Sequence, residues 1–337
     1  MNTIIWFALA LVLGQFILGV LVDQSLPRVR DPEFAIKLKR YEELLHEYPD
    51  RPSIMMLGSS RTAFGFRGKL IGAASDNQKP IIFNFAYPGG GPFLQRITLQ
   101  RLKEANRLPS VLLVEIMPIF FNGPAGEKME LKMLDTARLS AQELGLLSDY
   151  SGNFFARSHR WMFARSIPIW KHRSELRDCI GLDEFLAESR PPEVYDFIEA
   201  DGWTPQDSIF LSRNRLDLAQ LAHRQYDRFY DDYLPSTAPL QQLRELLKDA
   251  LAEKITPILV LMPEGSEFRH LATAKHEEGF QRMLHSLQEE FSISLIDGRE
   301  WVADEEFFDG HHVFDKGAES LTYKLGEELR KRIIDNR

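Results

Sequence analysis

The chain has 337 residues, of which 44% are hydrophobic, and its 41 basic and 49 acidic side chains give a net charge of −8. This length allows one large or two medium domains, and the composition is that of a globular protein rather than a disordered one. The negative balance offers no general attraction for a phosphate backbone, so no nucleic acid partner is expected. Cys179 is the only cysteine, which excludes a disulfide framework and a thiolate zinc cluster.

An apolar run near the start of the sequence predicts a membrane helix. Residues 3–22 are almost unbroken apolar sequence, with Gln15 as the one strongly polar interruption. About twenty helical residues, at roughly 1.5 Å each, cross a hydrocarbon layer of about 30 Å. The run lacks the basic start and the small-residue cleavage site of a signal peptide, so residues 1–22 are expected to be a retained anchor. A cleaved signal and a buried core helix are the alternatives.

The next segment, residues 23–52, predicts a helix that leads from the anchor to the globular part. Apolar and charged side chains are interleaved over residues 32–48, a pattern typical of an amphipathic helix. The basic residues of this segment all follow the apolar run. The positive-inside rule, taken alone, therefore places the rest of the chain in the cytoplasm.

Short apolar runs that alternate with helical patterns predict an α/β core in two halves, residues 53–122 and 241–337. The first half holds strands at 53–57, 81–85 and 111–115 and a helix at 92–107. The second half holds helices at 240–254, 276–291 and 316–334 and strands at 257–262 and 293–296. This alternation predicts a three-layer sandwich with a central parallel sheet, of the SGNH or flavodoxin-like kind. The glycines at 89–91 match no nucleotide-binding pattern, so no nucleotide cofactor is expected.

Residues 123–240 lack this alternation of strands and helices. They predict an inserted cap subdomain with its own helices, at 131–147 and 216–233. Its middle, residues 153–177, combines aromatic with basic side chains, namely Phe154, Phe155, Trp161, Phe163, Trp170, Arg157, Arg160, Arg165, Lys171 and Arg173. Such a stretch suits a sugar ring, an interfacial membrane segment or a partner membrane protein. The alternative is a cap that buries its aromatic side chains against the sheet.

Two short motifs at opposite ends of the core predict a nucleophilic site. Gly58, Ser59 and Ser60 follow the first strand, at the sheet edge where parallel sheets bind ligands. A serine is a weak nucleophile unless a base lies within reach, and Asp309 and His312 follow the last strand. Their spacing of three places them on one face if the segment is a helical turn. The combination predicts a triad of Ser60, His312 and Asp309, although either motif alone fits a plain turn.

These motifs resemble those of the SGNH (GDSL-like) hydrolase superfamily, and within it the membrane-anchored branch similar to the alginate O-acetylation proteins and DltD. Gly58-Ser59-Ser60 stands where the family has Gly-Asp-Ser, and Asp309 and His312 fill its Asp-x-x-His block. The second block is matched by Asn-Phe-Ala-Tyr-Pro-Gly at residues 84–89. Gly89 therefore resembles the glycine whose N–H, together with that of the serine, forms the oxyanion hole. The resemblance covers residues 53–122 and 253–330.

The third block departs from the family pattern. Val-Glu-Ile-Met-Pro-Ile at residues 114–119 occupies its place, so Ile119 falls where an asparagine is expected, and Asn122 is displaced by three residues. The third oxyanion donor is thus left unassigned. A Glu-x-x-Pro here resembles the polysaccharide-acylation relatives. Ser59, Arg61, Asn84 and Asn122 are the predicted pocket residues.

The resemblance implies a membrane-anchored serine acyltransferase or esterase that acts on O-acyl groups, foremost O-acetyl, of an exported polysaccharide or cell-envelope polymer. It also implies a multi-pass membrane acyltransferase as partner and, against the positive-inside rule, an extracytoplasmic (periplasmic) catalytic domain. A non-catalytic, membrane-tethered binding or assembly subunit is the alternative, favoured by the missing asparagine. Competing site assignments are Ser59 as nucleophile and a metal held by Asp309, His311 and His312, although no metal is expected from this ligand spacing.

Overall fold

A five-stranded parallel sheet organises the computed structural model, which describes residues 2–73, 75–76, 78–149, 154–181, 194–205, 215–230 and 232–334. Its strands are β1 (Ser53–Leu57), β2 (Ile81–Asn84), β3 (Val111–Glu115), β4 (Thr256–Leu261) and β5 (Ser294–Asp297). They lie in the order β2-β1-β3-β4-β5, and each neighbouring pair is parallel. This is the flavodoxin-like order, so the predicted α/β fold class with a central parallel sheet is confirmed.

Helices precede and flank the sheet. In chain order they are α1 (Asn2–Gln24), α2 (Pro27–Arg30), α3 (Pro32–Glu47), α4 (Ser60–Gly65), α5 (Pro92–Glu104), α6 (Gly123–Met133), α7 (Ala141–Leu146), α8 (Phe154–Ser166), α9 (Pro168–Lys171), α10 (Arg173–Cys179), α11 (Arg215–Tyr226), α12 (Thr237–Ala252), α13 (Ser266–Arg269), α14 (Ala274–Phe291) and α15 (Asp315–Leu329). Short 3-10 turns lie at Gly68–Leu70, Pro118–Phe121, Thr136–Arg138, Leu147–Asp149, Val194–Phe197, Asp227–Phe229 and Asp304–Glu306, and a π turn lies at Arg330–Ile334.

The sheet is covered on both faces, which is why its central strands are apolar along most of their length. Every residue of β1, β2 and β3 is buried. Ile54 and Leu113 on one face belong to a core cluster with Leu321 and Leu325 of α15. Helices α5 and α12 pack against each other, and α12 packs on β4. Parallel strands with continuous apolar sequence require this two-sided cover.

The helix predicted over residues 131–147 was wrong as a single element. Helix α6 ends at Met133, a 3-10 turn follows, and α7 begins only at Ala141. The Asp135 side chain accepts a hydrogen bond from the Ala137 N–H, and Ser140 and Glu143 form a reciprocal capping box at the start of α7. Such side chains offer the main chain partners outside a helix, so they interrupt an otherwise helical pattern.

The chain divides into two compact units, Met1–Leu38 with Asp135–Asp196 and Lys39–Leu134 with Phe197–Arg337. The segment predicted as one insertion, 123–240, is therefore shared between them. Residues 123–134 and 197–240 belong to the unit that contains the sheet, whereas residues 135–196 belong to the unit that contains α1. The reason is packing: α1 packs against α8 and α9, so the middle of the insertion forms a core with the apolar helix.

Helix α1 contains the predicted membrane segment. Residues Thr3–Gln24 are long and apolar enough to cross a membrane. In the aromatic and basic stretch predicted at 153–177, residue 153 and the side chains of Phe154, Phe155 and Arg157 lie outside the described residues. The side chains of Phe163 and Trp170 are exposed.

Candidate active site

The carboxyl end of β1 carries the two predicted serines at the switch point of the sheet. β2 lies on one side of β1 and β3 on the other, so the crossover from β1 to β2 and the crossover from β2 to β3 run in opposite directions, and parallel sheets bind ligands at such a point. Ser59 is buried and caps α4 by accepting a hydrogen bond from the Arg61 N–H at 3.2 Å. Ser60 is the first residue of α4 and is only half-buried. The bend thus hides one hydroxyl and presents the other.

The structure brings Ser60, His312 and Asp309 together. Ser60 Oγ lies 2.7 Å from His312 Nε2, and His312 Nδ1 lies 2.7 Å from Asp309 Oδ2. The three residues therefore form one continuous hydrogen-bonded chain from a hydroxyl through an imidazole to a carboxylate. The side chains of His312 and Asp309 are 15% and 11% exposed, so the base can be reached from solvent only at its edge.

The Asp309–His312 segment is a loop and not the predicted helical turn. An antiparallel bridge between Phe307 and Val313 closes it. Asp309 Oδ1 accepts hydrogen bonds from the N–H groups of His311, at 3.1 Å, and His312, at 2.8 Å. Gly310 between them has a φ of +90°, which favours glycine. The carboxylate thus shapes the loop with one oxygen and orients the imidazole with the other, a local arrangement that side-chain spacing alone does not reveal.

Charge and burial set the protonation of this pair. Burial raises the pKa of the Asp309 carboxyl, but its interactions with His311 and His312 outweigh burial and hold that pKa well below its usual range. Asp309 is therefore ionised at neutral pH. The His312 ring is stacked on Phe308, with ring centroids 5.3 Å apart, and lies 5.7 Å from the Phe64 ring. These rings limit the imidazole to one orientation.

His311 has a different environment from its neighbour. It is 3% exposed, stacks on Phe268 with centroids 4.8 Å apart and meets the Tyr226 ring edge-on at 5.0 Å. Burial lowers the pKa of His311 to about 3, with smaller effects from Asp309 and His312. The buried imidazole is therefore neutral, and it packs as an aromatic ring beneath the loop that carries the base.

Glu115, at the end of β3, holds the serine bend in place. Its Oε2 accepts hydrogen bonds from the Ser59 N–H at 2.6 Å and the Thr62 hydroxyl at 2.6 Å, and its Oε1 accepts one from the Ser59 hydroxyl at 2.8 Å. A Cβ at Gly58 would lie 2.3 Å from Glu115 Oε2, so only glycine fits there. In the sequence, Glu115 stands within the block at residues 114–119 that departs from the family pattern. The signal for its role was a charged residue at the end of an apolar strand, because a buried charge requires a specific partner.

Arg61 joins the bend to the loop after β4. Its guanidinium donates to Glu264 Oε1 at 3.0 Å and to the main-chain oxygens of Met262 and Pro263, both at 2.8 Å. Both charged side chains are almost fully buried, at 2% and 5% exposure. Burial lowers the pKa of Arg61, but the Glu264 carboxylate more than compensates, so the pKa lies above its ordinary value. Arg61 is a structural link within the protein, and its predicted role as a pocket residue does not hold.

The Ser59 hydroxyl is likewise engaged, with Glu115 and with the Arg61 N–H. It is buried, and the two hydrogen bonds of the His312 ring go to Ser60 and Asp309, so the structure favours Ser60 over Ser59 as the nucleophile candidate. The Asn84 amide donates to Thr62 and Phe66 main-chain oxygens and accepts from the Ala86 N–H. These bonds direct the Ser59 and Asn84 side chains into the protein and correct the prediction that they line a pocket.

Asn122 also bonds to the main chain instead of facing the site. Its amide donates to the Phe229 oxygen at 2.7 Å, and its side-chain oxygen accepts from the Leu234 N–H at 2.7 Å. Ile119, where the family pattern has its asparagine, is fully buried. Neither residue supplies a third oxyanion donor.

Gly89 lies in the turn after β2 that packs on the serine bend. The Tyr87 N–H donates to the Gly58 oxygen at 3.0 Å, and a Cβ at Gly90 would lie 2.5 Å from that same oxygen. Gly89 has a φ of +77°, and a Cβ there would lie 2.9 Å from the Met133 side chain. Within the described part of the chain, its N–H has no hydrogen-bond acceptor. The backbone of this turn is therefore held close to the bend with one donor free.

A metal site at this place competes with the hydrogen-bonded chain for the same atoms. Asp309, His311 and His312 offer ligand atoms that lie within 4.8 Å of one another. Both nitrogens of His312 are engaged, one with Ser60 and one with Asp309. Binding an ion through His312 would break one of these two bonds.

No protein-family model matches this chain, and no curated protein matches it. Among solved structures, it is similar to a proposed acylhydrolase from Bacteroides fragilis NCTC 9343, at 11% identity and a TM-score of 0.39, covering 88% of this chain and 97% of that one. It is also similar to a GDSL-like lipase from Bacteroides thetaiotaomicron VPI-5482, at 9% identity and a TM-score of 0.37, covering 87% and 98%. Likenesses of this size do not bear on activity.

Replacing Glu115 is expected to destabilise the protein through the serine bend. Glu115→Ala leaves the Ser59 N–H and the hydroxyls of Ser59 and Thr62 without their acceptor, so the free energy of unfolding should fall by about 3 kcal/mol. Urea denaturation of the detergent-solubilised chain measures this. Glu300→Ala, at a side chain that is 82% exposed, is the matched control and should change little. Equal stability of the two variants would contradict the role of Glu115.

His311 is expected to make the fold sensitive to acid. Because its folded pKa is lowered from 6.5 to about 3, the unfolded state binds more protons below about pH 6.5, and stability falls as the pH drops from there towards 3. Between pH 7 and pH 5 this group should cost about 2 kcal/mol. His311→Phe should remove that loss in urea denaturation at the two pH values.

The exposed His285, whose side chain is 73% accessible, provides the control for this experiment. His285→Phe should keep the acid sensitivity of the unaltered protein. If His311→Phe loses as much stability between pH 7 and pH 5 as His285→Phe does, the neutral buried imidazole is not the cause.

Proposed function

We propose that this chain is a serine acyltransferase or esterase that works through an acyl-enzyme. The observation that carries the proposal is the chain of two 2.7 Å hydrogen bonds that links Ser60 Oγ through the His312 ring to Asp309. A nucleophile, a base within hydrogen-bond reach and a third group that orients the base are the elements of a catalytic triad. The partial exposure of Ser60 supports it as the residue that meets a substrate.

In the proposed reaction, Ser60 Oγ attacks the carbonyl carbon of an ester while His312 Nε2 takes the hydroxyl proton. Asp309 Oδ2 accepts the Nδ1–H of His312, which keeps the Nε2 lone pair directed at the serine and stabilises the imidazolium once it forms. His312 then returns the proton to the leaving alcohol, and the acyl group stays on Ser60. A sugar hydroxyl or a water molecule, deprotonated by His312, then attacks the acyl carbon; the bond to Ser60 Oγ breaks, and His312 returns the proton to Ser60 Oγ.

The N–H groups of Ser60 and Gly89 are the proposed oxyanion donors. The turn that carries Gly89 is tied to the oxygen of Gly58, two residues before Ser60, which supports this pairing. Each donor of this kind typically lowers a reaction barrier by about 3 kcal/mol.

The proposed substrates are O-acyl groups, foremost O-acetyl, on an exported polysaccharide or another cell-envelope polymer. This part of the proposal is supported by the resemblance of the Gly58-Ser59-Ser60 and Asp309–His312 motifs to the membrane-anchored SGNH branch and by the apolar helix α1. A multi-pass membrane acyltransferase is the proposed partner that supplies the acyl group. The catalytic unit is proposed to lie outside the cytoplasm.

The second candidate is a non-catalytic, membrane-tethered subunit of a polymer-modification or secretion complex. The observation that favours it is the state of the third block, where Ile119 is buried and the Asn122 amide is bonded to the main chain. Such a protein would keep the fold and the hydrogen bonds without turnover.

A fluorophosphonate probe should separate these two candidates and the two serines. The proposed nucleophile displaces fluoride and stays covalently bound to phosphorus, so the unaltered full-length chain should be labelled on Ser60 and Ser60→Ala should not be labelled at all. Ser59→Ala should still be labelled, although less stably folded, because its hydroxyl contacts Glu115 and not His312. Mass spectrometry of the modified peptide locates the adduct. Labelling that persists in Ser60→Ala would contradict the assignment.

Acetyl release from an O-acetylated oligosaccharide should depend on the same residue. We expect Ser60→Ala to lower the rate by about 10⁴-fold or more, as removal of a triad nucleophile does. An unacetylated oligosaccharide is then added to the reaction. If the chain is a transferase, the acetyl group should appear on this oligosaccharide. If the chain is an esterase, free acetate should be the product. Chromatography of both products distinguishes these outcomes, and release that is equal in Ser60→Ala would reject the catalytic role.

A further inference from the structure

We propose that α8 and α9 form a re-entrant corner that enters the same membrane as α1, so that the chain contacts the bilayer through a helix hairpin as well as through its anchor. This inference rests on the proposed membrane anchoring by α1. It concerns only the unit that contains α1 and residues 135–196.

Helix α8 lies against α1 at very short range. A Cβ at Gly19 would lie 2.3 Å from the Arg165 main-chain oxygen, so the two backbones meet where α1 has no side chain. Small residues allow this close approach between membrane helices. Gly19 and Val22 are buried and Gln15 and Leu18 half-buried, so these positions of α1 form a stripe at helical spacing.

The position of α9 along α1 is given by a second contact. The Ile169 N–H points to Gln15 Oε1 at 3.5 Å, whereas the Arg165 oxygen lies beside Gly19. The two segments therefore run in opposite directions, and the Pro168 corner lies nearer the middle of α1 than α8 does. Gln15 is two helical turns from Asp23, about 12 Å along the axis. That distance places the corner well inside the apolar length of α1.

The backbone of the corner suits a medium without water. The N–H groups of Ile167, Trp170 and Lys171 all bond to main-chain oxygens within the corner. Pro168 has no N–H. In the first turn of α9, the N–H of Ile169 is therefore the one that needs an acceptor outside the main chain of the corner. Gln15 supplies its acceptor. An unpaired N–H is costly in hydrocarbon, and this contact gives a physical reason for the one strongly polar side chain in the apolar run.

The outer surface of the corner is apolar and continues the exposed surface of α1. The large apolar side chains exposed there are Met162, Phe163, Ile167, Ile169 and Trp170, at 44% to 64% accessibility. Phe16 and Ile17, at the same level of α1, are 66% and 50% exposed. A contiguous apolar surface of this kind marks a membrane or protein contact, and its continuity with an exposed membrane helix favours lipid.

Polar groups at the corner turn back towards the end of α1. The Arg165 guanidinium bonds to Asp23 at 2.8 Å and to the main-chain oxygen of Leu139 at 2.7 Å, although its own oxygen lies beside Gly19. Arg173 lies over the Trp170 ring at 5.4 Å. Long basic side chains that reach from an apolar stem towards the headgroups, next to a tryptophan, are typical of a membrane interface.

The test is fluorescence quenching of the full-length chain in vesicles of pure phosphatidylcholine, where no partner protein is present. In a Cys179→Ser background, a single cysteine at Ile169 carries an environment-sensitive fluorophore. Val12→Cys on α1 is the control for the anchor, and Leu251→Cys, an exposed leucine of the other unit, is the control for solvent. Doxyl-labelled lipid quenches from the hydrocarbon, and iodide quenches from water.

We expect the label at Ile169→Cys to be quenched by doxyl lipid and protected from iodide, as at Val12→Cys, with the opposite result at Leu251→Cys. Iodide quenching at Ile169→Cys equal to that at Leu251→Cys, while Val12→Cys stays protected, would overturn the inference and leave this surface for a partner protein. Loss of protection at Val12→Cys would instead reject the anchor. Adding Gln15→Leu should increase iodide quenching at Ile169→Cys, and no increase would overturn the role of Gln15.

Discussion

The buried carboxylate of Glu115 is the constraint on which the candidate site depends. It closes β3 and receives three hydrogen bonds from the segment that leaves β1, one from a main-chain N–H and two from hydroxyls. A buried carboxylate is tolerated only when its oxygens are satisfied in this way. Glu115 holds Ser59 inward, and Ser60, the next residue along the bend, is only half-buried. The placement of the proposed nucleophile thus depends on the hydrogen bonds that satisfy a buried carboxylate at the switch point of the sheet.

The second half of the site is organised by another carboxylate with two functions. Asp309 shapes its loop by accepting main-chain N–H groups and orients His312 with its remaining oxygen. The two adjacent histidines have different environments. His311 packs between Phe268 and Tyr226, whereas His312 reaches Ser60. One aspartate therefore fixes the loop backbone and the His312 ring together.

The two compact units divide the chemistry of the chain between them. The unit with the parallel sheet holds the proposed nucleophile, base and oxyanion donors, whereas the unit with α1 carries most of the large exposed apolar side chains of the described residues. For an acyl group delivered from a membrane, contact with the bilayer through more than one helix would restrict the motion of the anchored chain. Restriction of this kind reduces the entropy cost of each encounter with a membrane-bound donor.

The strands and the main helices of the core were predictable because the buried residues of each element form a short run or a regular spacing of apolar residues in the sequence. Parallel strands appear as short continuous apolar runs, and α5, α12, α14 and α15 as amphipathic patterns, so their bounds agree with the predicted ranges to within a few residues. The triad candidates were predictable for another reason. Ser60 follows the first strand and Asp309 and His312 follow the last, and ends of parallel strands meet at one edge.

Local sequence determined which residues end strands, which run is apolar enough for a membrane and which side chains have suitable chemistry. Only the tertiary structure decided that Glu115 accepts hydrogen bonds from the serine bend, that Asn84 and Asn122 bond to the main chain, and that residues 135–196 belong to the same compact unit as α1. The physical reason is the range of the forces involved. Periodic burial can be read from residues close together in the sequence, whereas a hydrogen bond between residues of different elements exists only after the fold has brought its two ends together.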